Sequence, residues 1–178
     1  MAGWDGRVWT TLTTSRAPGA ALWIRLFVGG IFASEGIQKF LFPGDLGTGR
    51  FETVGFPAPG FLAAVVGIFE IACGVLLLLG LLTRLAALPM VIDMVVALVL
   101  TKLPILWGSS ALFAGEQGWW DFAHESRTDL AMLCGSIFLL LAGAGPYSLD
   151  ARLHQRFPVA GRQAISASSS GRGHPRGR

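Results

Sequence analysis

Residues 20–42 read AALWIRLFVGGIFASEGIQKFLF. The run is long enough to cross a bilayer, for which a helix needs about 20 mainly apolar residues. Yet it carries Arg25, Glu35, Gln38 and Lys39. A charge at the centre of a membrane helix costs about 2.5–3.5 kcal/mol on insertion scales, so such groups turn toward a bundle interior and mark a site or a pathway. Three further apolar runs, at 59–82, 85–107 and 128–145, each hold an acid: Glu70, Asp93 and Asp129. The expected architecture is therefore all-α, a bundle of four transmembrane helices, with any function residing in its buried charges.

Composition agrees. Of 178 residues, 52% are hydrophobic and 14% charged, whereas soluble domains carry roughly 25% charged residues. The chain divides into an N-terminal segment (1–19), a membrane domain (20–150) and a basic tail (151–178). From Gly161 the tail is Ser, Gly and Arg with little apolar content, which predicts disorder. Residues 1–19 hold Asp5, Arg7 and Arg16 and no apolar core, so the run that follows reads as a retained helix and not as a secretory signal.

Orientation follows from lysine and arginine in the short flanks. Arg7 and Arg16 precede the first run, Arg84 lies between the second and third, and Arg152, Arg156 and Arg162 begin the tail. The segment before the fourth run is instead acidic, with Glu116, Asp121 and Glu125. Both termini are expected in the cytoplasm, with 43–58 and 108–127 outside, in a multi-pass protein of the inner cell membrane. Trp23, Trp107, Trp119 and Trp120 fall at the expected interfaces. The net charge of +3 sits mostly in the tail and reads as an inside anchor, not as a nucleic-acid surface.

Cys73 and Cys134 are the only cysteines. From the rise of about 1.5 Å per residue they lie at depths differing by roughly 10 Å, too far for a disulfide without large tilts. They read as small apolar packing residues. His124, His154 and His174 all fall outside the expected spans, so no histidine pair can ligate a haem within the membrane. No metal-binding spacing occurs.

In the first run Arg25, Gly29, Phe32, Gly36 and Lys39 share one stripe. Gly29 and Ala33 form a small-xxx-small pair that admits a close helix neighbour. Glu35 and Lys39 are four apart and can bridge. In the second run Ala63, Gly67, Glu70 and Gly74 share a stripe, with Glu70 near mid-membrane. Pro89 is expected to bend the third run, and Lys102 falls about half a turn from Asp93 around an ideal helix. Asp129 is expected in the first turn of the fourth helix, where the helix dipole favours an acid. Sorted by depth, the charges separate into an inner buried pair, Arg25 with Asp93, and an outer cluster of Glu35, Lys39, Lys102 and Asp129, with Glu70 between. The alternative is that all these charges only tie the bundle together.

Three stretches give the chain a family resemblance. The first is Arg25-Leu26-x-x-Gly29-Gly30-Ile31-Phe32-x-x-x-Gly36-x-x-Lys39-Phe40. The second is Glu70 followed by Gly74, the leucines 76–79, then Gly80-Leu81-Leu82-Thr83-Arg84. The third is Gly143-Ala144-Gly145-Pro146-Tyr147-Ser148-Leu149-Asp150. In this order and spacing, over about residues 20–150, they resemble the DoxX family of small four-helix membrane proteins. The resemblance implies association with membrane oxidoreductase systems. Family members include a subunit of an archaeal thiosulfate:quinone oxidoreductase and a mycobacterial protein that links a superoxide dismutase to a thiol oxidoreductase. No cysteine pair or cofactor motif of its own accompanies it here.

Three functions compete at this point. In the first, the chain is a subunit of a quinone-linked oxidoreductase, with catalysis shared with a redox partner protein. Glu35, Lys39, Glu70 and Asp129 would be its working residues, and Gly36, Gln38 and Lys39 would border the quinone, no cofactor being intrinsic. Buried carboxyls near neutral pH would relay the protons. In the second, the chain is a non-enzymatic adaptor that holds partners through 108–127 or the tail. In the third, it is a small-solute or proton conduit, which in a bundle this small calls for a homo-oligomer.

Overall fold

The computed structural model describes residues 17–156. Among these residues every regular element is helical. Helix α1 spans Ala21–Leu41, the short α2 Thr48–Val54, α3 Pro59–Leu79, and α4 Thr83–Ala97. A π-helical turn, Leu98–Lys102, and a 3-10 turn, Leu103–Trp107, continue α4. Helix α5 spans Trp119–Ala142 and α6 Leu149–Arg156. The disorder expected from Gly161 onward lies outside the described residues. The first residues assigned to the tail, 151–156, are helical.

The four long elements form a ring in the order α1, α3, α4, α5, each antiparallel to its neighbours. Two of them, Pro59–Leu79 and Thr83–Trp107, are long and apolar enough to cross a membrane, and only a third of each apolar window is buried. The buried fraction separates them from the core helices of a soluble domain. Trp23, Phe27, Phe61, Ile68, Phe69, Leu88 and Ile92 all point outward and are exposed. A surface so apolar is stable only against another apolar phase. Helices α1 and α5, of 21 and 24 residues, are each at least about 30 Å long but hold more charge.

The tightest seam joins α1 to α3, and small residues make it. A Cβ added to Gly36 would lie 2.6 Å from the Gly67 carbonyl oxygen, and one added to Gly74 would lie 2.6 Å from the Ala33 nitrogen. The small-residue stripes expected on these two helices thus face one another, backbone to backbone. Below them Val28, Phe32, Cys73, Leu77, Met90, Met132 and Leu139 fill the centre of the bundle. Cys73 and Cys134 are both free thiols.

One end of the bundle is closed by a polar knot. The buried Arg25 donates from Nε to the Leu77 carbonyl (2.9 Å) and from Nη2 to that of Leu78 (2.8 Å). Its Nη1 donates to the carbonyls of Ala144 (3.1 Å) and Tyr147 (2.7 Å). Leu77 and Leu78 lie in the last turn of α3, where carbonyls run out of intrahelical donors, although Leu77 also accepts the Gly80 N–H at 3.1 Å; Ala144 and Tyr147 lie in the segment leaving α5. Asp150 performs the converse task at the start of α4, accepting the Leu82 and Thr83 N–H groups at 2.8 and 3.2 Å. Cation meets helix C-termini and anion meets a helix N-terminus, the favourable sense of the helix dipole at each. The expected pairing of Arg25 with Asp93 is therefore incorrect. The guanidinium is consumed by carbonyls at one end of the bundle, while Asp93 faces the other.

Candidate functional site

Toward the end of the bundle opposite the knot, the helices enclose a cavity of about 450 Å³. Its charged lining comes from every long helix: Glu35 and Lys39 from α1, Glu70 from α3, Asp93 and Lys102 from the α4 element, and Glu125 and Asp129 from α5. Arg50 of α2, with His124 and Arg127 of α5, completes it. Apart from Thr101 and Thr128, the remaining walls are apolar, including Ile31, Phe32, Phe51, Phe56, Met94 and Met132.

At its centre Lys39 Nζ lies 2.6 Å from Glu70 Oε2 and 2.8 Å from Oε1. Glu70 is buried and Lys39 nearly so, at 3% and 11% exposure, so the pair is shielded from the screening that weakens surface ion pairs. The Asp93 carboxyl interacts with both Lys39 and Glu70, and its Oδ2 is buried without a hydrogen-bond partner. A second cation, Lys102, stands 3.4 Å from Glu125 Oε2 and 3.9 Å from Asp129 Oδ2. Its Nζ also sits over the Phe113 ring, 3.9 Å from the centroid, within cation–π range. Arg50 acts electrostatically on Asp129 from α2. The site is thus two adjoining cation–carboxylate groups in a chamber with partly apolar walls.

All four residues assigned a working role, Glu35, Lys39, Glu70 and Asp129, line this cavity. The expected Glu35–Lys39 bridge gives way to Lys39–Glu70, because the α1–α3 contact brings the partner helix closer than the next turn of α1. Gly36 and Gln38 are not in the lining: Gly36 is packed into the α3 seam, and Gln38 Nε2 donates to Ser34 Oγ at 2.8 Å. Asp129 is not in a first helical turn, since α5 begins ten residues earlier at Trp119, and Asp121 is the acid of that turn. The same early start puts His124 within a helix and at the cavity, where sequence placed it in a loop. Lys102 reaches the Asp93 side because α4 loosens into a π turn at Leu98–Lys102. Its i→i+5 bonding turns the chain less per residue than an α-helix, which removes part of the half-turn separation. Arg50, Glu125 and Arg127 carried no sequence signal beyond being charged residues near a span. Among the described residues no group of three histidines, cysteines or acids has metal-binding geometry.

The sequence model of the DoxX family matches residues 20–103, which include the α1–α3 seam, the Lys39–Glu70 pair and Asp93. The uncharacterized membrane protein Rv3486 of Mycobacterium tuberculosis is 53% identical over 153 residues, covering 86% of this chain and 93% of that protein. No solved structure gives a significant match. A relative this similar along nearly its whole length, together with the family match and the outward apolar faces, places the chain in the DoxX family of membrane proteins.

Proposed function

We propose that the cavity is the cofactor site of a membrane-associated, quinone-linked oxidoreductase system, in which this chain is the membrane subunit and electrons arrive from a redox partner protein. The observation that carries the reading is the Lys39–Glu70–Asp93 group, with Glu70 buried, in a chamber that sets these and other charged residues against apolar walls such as Phe32, Phe51, Met94 and Met132. The volume of about 450 Å³ falls in the range of small-molecule sites, about 300–1,000 Å³. Lys39 supplies a donor suited to a carbonyl oxygen. The Asp93 carboxyl, which engages Glu70 and Lys39, offers an acceptor for a hydroxyl. A quinone supplies two-electron chemistry with uptake of two protons, and offers both group types in its two oxidation states. The chain's part is to hold the head by Lys39 and to keep protons available at Glu70 and Asp93, with Glu35 and Asp129 leading toward the charged mouth.

In this reading all four long helices span the inner cell membrane and both termini are cytoplasmic. Arg84 and Arg152, at the knot end, support that orientation; the cavity then opens toward the opposite face. A layer of Phe32, Leu77, Met90 and Leu139 separates cavity and knot, which favours a one-sided site over a conduit.

Purification from native membranes in mild detergent, followed by mass spectrometry of lipids and proteins, tests the proposal. Quinone is expected with the wild-type chain and lost from Lys39→Met and Glu70→Gln. A stoichiometric protein partner with no quinone would overturn the cofactor reading in favour of an adaptor.

A further inference from the structure

The cavity has two unlike seams. Between α1 and α5 it is bordered by Glu35, Arg127 and Thr128, all polar and exposed. Between α3 and α4 it is bordered by Leu62 and Val66 on one side and Val96 and Leu100 on the other. Val96 and Leu100 line the chamber and are also 41% and 44% exposed on the outer surface. They continue directly into the lipid-facing residues Ile92, Val95 and Val99, exposed at 57%, 44% and 50%. Helices α3 and α4 are held together at their other end by the short Gly80–Leu82 turn and by Asp150, so this seam lies far from its anchor. Phe51 and Phe56, from α2 and the segment after it, extend the apolar lining.

An opening of this composition has no use for water or ions. In lipid it presents an unbroken apolar path to a buried cation and two carboxyls. We propose that the α3–α4 seam is a lateral doorway, and that the site takes a membrane amphiphile with a compact hydrogen-bonding head at Lys39, Glu70 and Asp93 and a long apolar tail lying across Val66, Val96 and Leu100 into the bilayer. The proposal deepens the reading of the same cavity and rests on the bundle spanning the membrane, but not on redox chemistry. The polar seam serves the head with protons, and the apolar one admits and holds the tail.

The test is photolabelling of the full chain in liposomes containing a fatty acid with a mid-chain diazirine, with the labelled residues located by peptide mass spectrometry. Label is expected inside the doorway, on Met94, Ala97 and Phe32, as well as on the outer surface at Ile92 and Val99. In Val96→Trp and Leu100→Trp the interior label is expected to be lost while the outer label persists. Label confined to the outer surface of the wild type would overturn the doorway, whatever the variants do. If the tryptophan variants fail to fold, the wild-type pattern still decides. Interior label without any co-purifying quinone would uphold the doorway and sink only the quinone assignment.

Discussion

Lys39 of α1 grips both oxygens of Glu70 on α3, at 2.6 and 2.8 Å, one turn from the point where Gly36 and Gly67 bring the two backbones together. The distance is set by the glycines. A side chain at Gly36 would meet the Gly67 carbonyl oxygen at 2.6 Å, parting the helices and opening the pair. Packing and site chemistry are therefore one feature of the α1–α3 seam, and the predictions below separate them.

Lys39→Met should destabilise the protein more than Glu70→Gln does. The methionine variant leaves Glu70 and Asp93 facing each other without their cation, and removing one partner of a buried ion pair costs about 3–5 kcal/mol. The glutamine variant leaves Lys39 with Asp93 as its remaining carboxylate. Unfolding in detergent should rank wild type above Glu70→Gln above Lys39→Met. The double variant should lie closer to wild type than the sum of the single losses, since the two residues share one interaction. Strict additivity would show that the pair is energetically idle.

Gly74→Ala and Gly30→Ala form a matched pair. Both glycines are inside helices, but a Cβ at Gly74 would meet the Ala33 nitrogen at 2.6 Å, whereas at Gly30 nothing lies within 4 Å. Gly74→Ala should push α1 and α3 apart and lower thermal stability. Gly30→Ala should be neutral or stabilising by up to about 1 kcal/mol, the usual gain from removing a helix-interior glycine. Equal behaviour of the two would contradict the close crossing.

Arg25→Lys is not a conservative change. The guanidinium reaches four carbonyls on two segments, and an ammonium with a single nitrogen cannot span Leu77 and Leu78 on one side and Ala144 and Tyr147 on the other. Each buried carbonyl left without a donor costs about 1–3 kcal/mol. Loss of about 2 kcal/mol or more is expected in an unfolding titration, without loss of any ligand bound at the distant cavity. A drop in ligand binding matching that of Lys39→Met would mean the knot and cavity are coupled.

Much of this arrangement was legible in the sequence, and the failures share a cause. Stripes of small residues and the depth of each charge depend on helical period alone, so the small-residue faces of α1 and α3 and the gathering of Glu35, Lys39, Glu70 and Asp129 are legible from spacing, though not that the two faces meet. Partners could not. Depth alone pairs Arg25 with Asp93, because backbone carbonyls at helix ends are invisible in a string of side chains. Glu35 was matched to Lys39 by local spacing, although a glycine-lined seam offered Glu70 from another helix. The true start of α5 is hidden because five of residues 121–127 are polar or charged, which puts the helix start near Asp129 when read from hydropathy, although Gly118 before the Trp119–Trp120 pair marks it. The facing of Lys102 was missed because the sequence was read at a uniform α period.

The π turn at Leu98–Lys102 supplies the last prediction. A π segment holds an extra residue relative to an α-helix, so the flanking residues keep their places if one residue is removed from within it. Deleting Val99, which faces outward at 50% exposure, should convert the turn to regular α-helix and leave Lys102 beside Glu125 and Asp129. Deleting Val91 instead lies before Asp93 within the α-helical stretch. It would turn the residues on one side of the deletion by about 100° relative to those on the other, carrying Asp93 and Met94 out of register with Met90. The first deletion should yield a folded, monodisperse protein and the second should not. In the Val99 deletion, Lys102→Met should cost as much stability as in wild type, showing that its ion pairs survive. If instead the Val99 deletion abolishes the effect of Lys102→Met, the lysine has lost its partners and the turn is not a simple one-residue insertion.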